Sequence, residues 1–443
     1  MNWRRPVYFA YAFSRGYRFQ SFLREYVKEW AGGRAREAGA SSLARLLEHC
    51  RKHVPYYANL LGPAAQHPDP RKELSRLPVL TKEEIRASFA ALQSDDLGRR
   101  TWSYNTSGGS TGEPVRLVQD AEYQDRTTAV SLLYFWMQGY NTGQPLIRLW
   151  GSERDVAAGT GSRKARFFNW LTNTTWINAF QMSPKRMRQC VTTLNRRRPR
   201  LIIAYAQAAY ELARFIERER LPLQPQRAMV TSAGTLYPFM REKIAEVFQC
   251  RVYNFYGSRE VSDIACELPG AEGLCVAPWG NYIEIVDDQG MPLPDGEEGN
   301  IVVTCLTNYA MPLLRYQIGD RGALMPAKEV SLPGLQFLRN VSGRNVDVFR
   351  TREQTLIDGE YFTHLLYHRQ WVQKFQVVQK DYDRIVFRVV PTHVSPTAAE
   401  LEQIVAKSRL VMGDSCRVEF EFPAELPPHA SGKFRYTISE VAA

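Results

Sequence analysis

The sequence lacks the features of a membrane-spanning or disulfide-bonded protein. A helix that spans a bilayer requires ~18 or more consecutive apolar residues, and the 443 residues contain no such run, so no membrane-spanning helix is predicted. Its seven cysteines have no regular spacing, which argues against a disulfide framework. No secretory leader is visible, because arginines interrupt the apolar runs near the start of the sequence. We therefore expect a reduced, cytoplasmic setting.

The chain is long enough and apolar enough to form a folded core. Hydrophobic residues make up 44% of the chain, which is enough for a sizeable core and excludes wholesale disorder. At roughly 100 to 200 residues per domain, the length suggests two or three domains. The 57 Lys and Arg residues outnumber the 46 Asp and Glu residues by 11. This excess suits nucleic acid, anionic lipid or a phosphorylated small molecule, and composition does not choose among them.

The pattern of apolar residues predicts an α/β fold. Segments with helical periodicity at 121–137, 206–218 and 237–248 alternate with short apolar runs, which is typical of a layered α/β domain with largely parallel strands. From Tyr282 onward, apolar and polar residues alternate around a Gly- and Pro-rich turn and predict an antiparallel β unit. After Gly343, a hairpin pattern, a helical pattern and a final strand predict a small α+β domain.

Residues 17–30 form an amphipathic helical pattern, with aromatic residues at helical spacing and basic residues between them. The favoured interpretation is a helix that packs its aromatic face on the body of the protein. The alternative is contact with a membrane surface.

The strongest chemical signal is TSGGSTGEP at residues 106–114. Its glycines permit unusual dihedral angles and let backbone N–H groups point at one anion, while its Ser and Thr residues offer hydroxyls. The Gly-Lys-Ser/Thr ending of a P-loop is absent. Taken alone, the pattern suits a phosphate-binding loop and a plain hairpin loop about equally.

A second motif, NFYGSRE at residues 254–260, directly follows a strand-like run. The carboxyl end of a strand is where α/β folds bind ligands. There, Tyr256 can stack on a base, Ser258 can donate a hydrogen bond to a phosphate, and Glu260 can hold Mg²⁺. On its own, an ordinary turn with one exposed acid is slightly favoured.

Three further motifs are weak individually. MPLLRYQIGD ends at Asp320, which can accept both hydroxyls of a ribose. GRNVD occupies residues 343–347, where the pattern of apolar and polar residues changes. SGKFR occupies residues 431–435.

In this order and spacing, the five motifs resemble those of the adenylate-forming superfamily of acyl-CoA synthetases, adenylation domains and luciferase. The closest resemblance is to the phenylacetate-CoA ligase-like branch, including its capsular-polysaccharide-associated members, and it covers roughly residues 54–439. It implies a large layered α/β domain over 1–343, a small mobile α+β lid over 344–443, and an active site between them.

The resemblance also implies which residues bind ATP. Those that would hold its phosphates are Ser107, Gly108, Gly109, Ser110, Thr111 and Gly112. Those that would frame adenine are Ser232, Ala233, Gly234 and Tyr256. Gly257 and Ser258 would lie at the α-phosphate, and Asp320 and Arg344 at the ribose.

Catalysis would depend on Glu260, Arg344 and Lys433. The implied reaction is attack of a carboxylate on the α-phosphorus of ATP, release of pyrophosphate, and transfer of the acyl group from the acyl-adenylate to CoA. Mg²⁺ on Glu260 and the ammonium of Lys433 would neutralise charge, so that catalysis is mainly positioning and electrostatics. Asp347 is the candidate hinge for rotation of the lid between the two steps.

Two alternatives stay open. In one, the acyl group passes to an amine or hydroxyl of a sugar, amino acid or carrier in polysaccharide or natural-product biosynthesis. In the other, the protein is a non-catalytic relative whose basic surface binds membrane or nucleic acid. The presence of Glu260, Asp320 and Lys433 argues against the second, and we expect no nucleic-acid partner.

The chain departs from the family pattern at three places. Val115 stands where a Lys is common, so Arg116 is the candidate to supply that charge. Gly234 stands where many members of the branch have Glu. Cys266 and Cys275 lie in the stretch where some relatives carry Cys and His that look like metal ligands, but they lack the short spacing of zinc ligands, so a zinc site is disfavoured.

Overall fold

The computed structural model describes residues 2–63, 65, 67–106, 115–150, 161–179, 181–342, 348–366, 369–426 and 436–441. Helices and strands alternate through the middle of the chain, so the predicted mixed α/β class is confirmed. The α-helices that the structure describes are α1 (Arg4–Ser14), α2 (Phe19–Ala31), α3 (Ala35–His53), α4 (Pro55–Leu61), α5 (Pro70–Leu74), α6 (Lys82–Ala87), α7 (Ala121–Met137), α8 (Arg163–Thr172), α9 (Pro184–Arg197), α10 (Ala206–Arg218), α11 (Pro238–Phe248), α12 (Glu360–Leu366) and α13 (Ala398–Met412).

The strands fall into four sheets across the described parts of the chain. In chain order they are β1 (Trp102–Thr106), β2 (Arg116–Asp120), β3 (Leu146–Trp150), β4 (Thr174–Asn178), β5 (Gln181–Met182), β6 (Leu201–Tyr205), β7 (Ala228–Ser232), β8 (Arg251–Ser258), β9 (Ser262–Glu267), β10 (Leu274–Val276), β11 (Asn281–Val286), β12 (Gly299–Cys305), β13 (Tyr316–Leu324), β14 (Phe337–Ser342), β15 (Val348–Arg350), β16 (Leu356–Asp358), β17 (Val372–Asp381), β18 (Arg384–Pro391), β19 (Arg417–Glu421) and β20 (Thr437–Ser439).

One large sheet changes character at β8. Its strand order is β11-β12-β13-β14-β10-β9-β8-β7-β6-β3-β4. Strands β4, β3, β6, β7 and β8 pair in parallel, as the alternation of helices and apolar runs predicts. From β8 to β11 every pairing is antiparallel, as the alternating pattern after Tyr282 predicts. Strand β8 therefore joins the two halves of the sheet.

The parallel half is covered on both faces. All five residues of β6 are buried, and the first four alternate between two separate apolar clusters. Ile202 and Ala204 pack with the helix residues of one cluster, whereas Leu201 and Ile203 pack with Tyr253 on the other side. A strand buried on both faces reads as a continuous apolar run, which is why LIIAY shows no alternation.

The carboxyl-terminal part contains the predicted α+β elements. Strands β19, β18, β17 and β20 form one sheet, and α12 and α13 accompany it. Strands β15 and β16 form a hairpin that pairs with β5, so that Leu356 lies opposite Met182. The domain boundary at residue 343 stays a prediction, because residues 343–347 lie outside the described ranges.

Helix α2 confirms the predicted docking of an aromatic face. Phe19 and Tyr26 are buried, and the Tyr26 ring stacks on Trp279 with 4.8 Å between centroids. On the next turn, the guanidinium of Arg126 on α7 lies 4.2 Å from the centroid of Phe22. These contacts pack the aromatic face of α2 against the body of the protein. Among the described residues, no helix is long and apolar enough to cross a membrane.

We predict that Tyr26→Ala lowers the free energy of unfolding by about 3–5 kcal/mol, because it removes a buried ring and leaves a cavity against Trp279. Urea unfolding followed by circular dichroism measures this. The matched control is Tyr17→Ala, since Tyr17 is exposed just before the same helix and should change stability by about 0.5 kcal/mol or less. Equal losses in the two variants would show that α2 is not held by its aromatic face.

Candidate functional site

The predicted site residues that the structure describes gather at the carboxyl ends of β7 and β8. The parallel pairing ends where Thr231 on β7 lies opposite Asn254 on β8, so residues 232–234 and 256–260 both follow that last pair. This edge is where parallel α/β sheets place their ligands.

Tyr256 and Asp320 are in direct contact. The Tyr256 hydroxyl donates a hydrogen bond to Oδ2 of Asp320 at 2.9 Å, although the residues are 64 positions apart. Both side chains are half-buried, so a ligand can reach them. From the sequence, Tyr256 is predicted to contact a base and Asp320 a ribose, and the fold brings these two side chains together.

Glu260 lies in the turn between β8 and β9, and it is 6% exposed. The Tyr316 hydroxyl, which is fully buried on β13, donates to its Oε1 at 3.3 Å. A buried carboxylate needs hydrogen-bond donors or a cation to offset its lost hydration. Among the described residues one hydroxyl meets only part of that requirement, so the group suits a cation brought in with a ligand.

Two amide side chains hold the β1–β2 hairpin against this turn. The Nδ2 of Asn105 and the Nε2 of Gln119 each donate to the Arg259 carbonyl at 3.2 Å. Gln119 Nε2 also lies 3.4 Å from the Glu260 carbonyl, and its Oε1 accepts from Asn105 at 3.0 Å. The two strands that flank the glycine-rich motif are therefore fixed beside Glu260.

The hairpin is also tied to helix α7. Asp120 is the last residue of β2 and the N-cap of α7, where its carboxylate accepts from the Tyr123 amide at 2.7 Å. Arg100 Nη1 donates to the other oxygen of Asp120 at 3.2 Å. A capping carboxylate satisfies amides that the first helical turn leaves unpaired. The start of α7 is thus fixed to the hairpin.

The segment after β7 has an unusual backbone. Ala233 has a φ of 57°, in the left-handed region that costs a non-glycine residue about 1 kcal/mol or more. Next to it, a Cβ placed on Gly234 would meet only the Cβ of Ala206, at 4.0 Å. The space for a larger residue at 234 therefore exists, and this chain leaves it open.

Gly257 is required by close packing of β8 on β9. A Cβ at this position would lie 2.7 Å from the Ser262 carbonyl oxygen, which is closer than real contacts allow. The neighbouring Ser258 Oγ accepts from the Val261 amide at 3.4 Å. Both residues shape the turn that positions Glu260.

Several predicted residues lie outside the described ranges. These are Ser107 to Gly112 in the glycine-rich motif, Arg344 and Asp347 at the predicted boundary, and Lys433 in the last motif. Beside the glycine-rich motif, Val115 is fully buried. The guanidinium of Arg116 lies 3.7 Å from the centroid of Tyr104, on the paired strand.

Arg315 anchors the strand that carries Asp320. Its Nε pairs with Glu284 at 3.1 Å, and both side chains are buried. Its guanidinium also donates to the carbonyls of Ser75, Leu77 and Gly290. With a φ of 51°, Arg315 turns the chain sharply into β13. Within the motif MPLLRYQIGD, Arg315 therefore stabilises the fold, whereas Asp320 is the residue predicted to bind a ribose.

Asp263, which lies opposite Gly257 on β9, is not among the site residues that the sequence predicts. The Ser131 hydroxyl donates a hydrogen bond to its carboxylate. Burial raises the pKa of Asp263 from 3.8 to about 6, against the opposing effects of Ser131 and Arg148. Perturbed carboxyl groups of this kind cluster at functional sites. The only signal in the sequence was an acid three positions after Glu260.

Cys266 and Cys275 are opposite each other on β9 and β10, and both are buried. Gln138 Nε2 donates to the sulfur of Cys266 at 3.0 Å. Burial raises the pKa of both thiols, which keeps them protonated. Within the described residues, no group of three His, Cys, Asp or Glu side chains is placed to hold a metal ion.

The chain is similar in sequence to a small set of characterised proteins. Residues 349–440 match the model of the CapK C-terminal domain family. Protein CapK of Staphylococcus aureus is 23% identical over 375 residues, which cover 83% of this chain and 80% of CapK. The phenylacetate-coenzyme A ligase of Thermus thermophilus is 25% identical over 399 residues, with 84% of each chain covered.

The chain is also similar in fold to a solved enzyme. A crystal structure of 2-hydroxyisobutyryl-CoA ligase, in complex with 2-HIB-AMP and CoA, superposes with a TM-score of 0.59 at 19% identity. The match covers 91% of this chain and 90% of that one. Core and carboxyl-terminal elements are therefore arranged in one known architecture.

We predict that Asp263→Asn flattens the dependence of stability on pH. The folded protein binds the Asp263 proton more tightly than the unfolded chain does, so the free energy of unfolding should fall as pH rises from about 4 to 6. The shift in pKa corresponds to a loss of about 3 kcal/mol in the free energy of unfolding, and we expect a smaller loss because part of Asp263 is accessible to solvent.

Urea unfolding at pH 4.5 and pH 7 tests this prediction. The variant should lose less stability than the wild type over that interval. The matched control is Asp414→Asn, since Asp414 is exposed. If Asp263→Asn keeps the wild-type pH profile, the carboxyl group is not enclosed as described.

Proposed function

We propose that this chain, a relative of CapK and the phenylacetate-CoA ligases in the adenylate-forming superfamily, activates a carboxylic acid with ATP and transfers the acyl group to CoA. The acyl-adenylate is the intermediate, and pyrophosphate and AMP are the other products.

The observation that carries the proposal is the meeting of Tyr256, Asp320 and Glu260 at one edge of the sheet. The Tyr256–Asp320 hydrogen bond places an aromatic ring beside a carboxylate, a combination that suits a base and its ribose. Glu260 lies four residues beyond Tyr256, at the hairpin that carries the glycine-rich motif. This arrangement supports separate partners for the base, the sugar and the phosphate groups of one nucleotide.

The proposed roles follow from this order. Asp320 accepts hydrogen bonds from the ribose hydroxyls, and its contact with Tyr256 fixes the angle of the ring against the base. Residues 107–112 are proposed to bind the phosphates, and the support for this role is that Asn105 and Gln119 hold the two strands that flank the motif against the turn after β8. Binding in a fixed geometry removes much of the entropic barrier to attack by the carboxylate.

Glu260 is the proposed ligand for Mg²⁺. Magnesium is usually bound through one or two carboxylates together with phosphate oxygens and water, and a single buried acid at the phosphate edge matches that donor set. When bound, Mg²⁺ would stabilise negative charge that builds up on the phosphoryl oxygens. Tyr316 holds the carboxylate in position through its hydroxyl.

We expect the purified protein to catalyse exchange of labelled pyrophosphate into ATP when it is given its carboxylic acid. A library of aryl and acyl acids, each assayed with Mg²⁺, identifies the substrate class. Asp320→Ala should raise the KM for ATP by about tenfold or more, because the ribose hydroxyls lose a charged acceptor. Absence of exchange with every acid, in folded protein, would exclude the proposed activity.

The acceptor is tested separately, because the acyl-adenylate can pass to a thiol, an amine or a hydroxyl. After the acid is known, product formation is measured with and without CoA. A CoA thioester supports the proposal. Product that forms only with an amine or hydroxyl acceptor would keep the adenylation step and replace the second one.

We predict that Lys433→Ala lowers the rate of adenylate formation by about 10² to 10³, because a cation is lost where charge accumulates. Transfer from preformed acyl-adenylate should stay within about threefold of the wild type, since Lys433 is proposed to act in the first step only. Lys407→Ala is the control, because Lys407 is exposed on α13. Equal loss of both half-reactions would contradict the proposed role of Lys433.

A further inference from the structure

Helices α1, α2 and α7 line a large cavity that is open to solvent and that the proposed reaction does not use. Its volume is about 1060 Å³, at the upper end of the roughly 300–1,000 Å³ typical of small-molecule sites. The apolar side chains that line it are Phe9, Phe13, Leu23, Val27, Leu132 and Trp136. Two of them are unusually accessible, because Phe13 is 76% exposed and Trp136 is 44% exposed.

The charged residues that line the cavity are all arginines. Arg5, Arg18 and Arg24 are exposed, and no acidic side chain among the described residues contributes to the lining. Among the described residues, Arg24 Nε donates to the Gln20 carbonyl at 3.3 Å and the Arg5 guanidinium lies 5.4 Å from the centroid of Phe9, and neither partner is an acid. The nearest acid in contact, Asp125, accepts from the backbone amide of Arg18 at 2.9 Å. Three positive charges thus accompany a largely apolar surface.

The cavity lies at the opposite edge of the sheet from the candidate site. Its floor includes residues 140–142, which precede β3, and the adjoining Pro145 and Leu146 bond to Arg200 and Asn173 just before β6 and β4. These are the amino ends of the parallel strands, whereas ATP is proposed to bind at the carboxyl ends. Helix α7 spans the distance, and its 17 residues are about 25 Å long.

We propose that this cavity binds an anionic single-chain amphiphile, with the alkyl chain along the apolar lining and the phosphate or carboxylate head on Arg5, Arg18 and Arg24. The apolar lining matches a chain, and the arginine side chains match an anion through charge-assisted hydrogen bonds. A bilayer surface is the weaker match, because α2 has its aromatic residues Phe19 and Tyr26 buried against the body and cannot insert them.

The test is titration calorimetry of the full-length protein, without nucleotide, with dodecyl phosphate below its micelle concentration. We expect saturable binding of one molecule per chain. Butyl phosphate has the head without the chain, and dodecyl maltoside has the chain without the charge, so each should bind at least about tenfold more weakly. Because ATP is absent, the result does not depend on the proposed catalytic function.

Variants locate the site. Arg18→Gln and Arg24→Gln should each weaken dodecyl phosphate binding by about tenfold, and Leu132→Trp should block the chain. The control Arg34→Gln, in an exposed arginine outside the lining, should bind as the wild type does.

Four outcomes would overturn the proposal. They are no saturable binding, equal binding of butyl phosphate or dodecyl maltoside, wild-type affinity in both arginine variants, and binding to anionic vesicles without binding to the monomeric amphiphile.

Discussion

The architecture depends on the two different pairings of strand β8. One edge of β8 pairs in parallel with β7, and the other pairs antiparallel with β9. Antiparallel pairing lets the chain return by a tight turn, whereas parallel pairing requires a crossover. The turn from β8 to β9 therefore falls at the carboxyl edge of the parallel half. Glu260 and the Ser232–Gly234 segment both follow the parallel strands at that edge.

Hydrogen bonds between buried and half-buried polar groups hold the turn between β8 and β9 in place. Amides of Asn105 and Gln119 satisfy the carbonyls of Arg259 and Glu260, and a tyrosine hydroxyl reaches the Glu260 carboxylate. Hydrogen bonds in such an environment are electrostatically stronger than in water, and an unpaired group is costly. The network holds the hairpin, the turn and β13 in one arrangement before any ligand binds. Pre-organisation of this kind reduces the cost of binding a charged nucleotide.

The sequence predicted most of the fold, because periodicity is a local property. Helices α7 and α10 have the predicted bounds, and the docking face of α2 was readable from the spacing of its aromatic residues. Asn105 and Gln119 were not predicted as site residues. Their partners lie 140 or more positions away, and an amide carries no mark of which carbonyl it will meet. Likewise, the shift in the pKa of Asp263 comes from burial that only the tertiary structure creates.

The connections of Arg315 bear on the order in which the molecule is made. Its guanidinium binds carbonyls of Ser75 and Leu77, which precede it by 240 and 238 positions. Contacts of such long range form slowly, because the chain between them must first be brought together. During synthesis, residues 75–77 emerge long before their partner, and domains generally fold as their residues become available. The strand that carries Asp320 therefore gains its anchor only after most of the chain has left the ribosome.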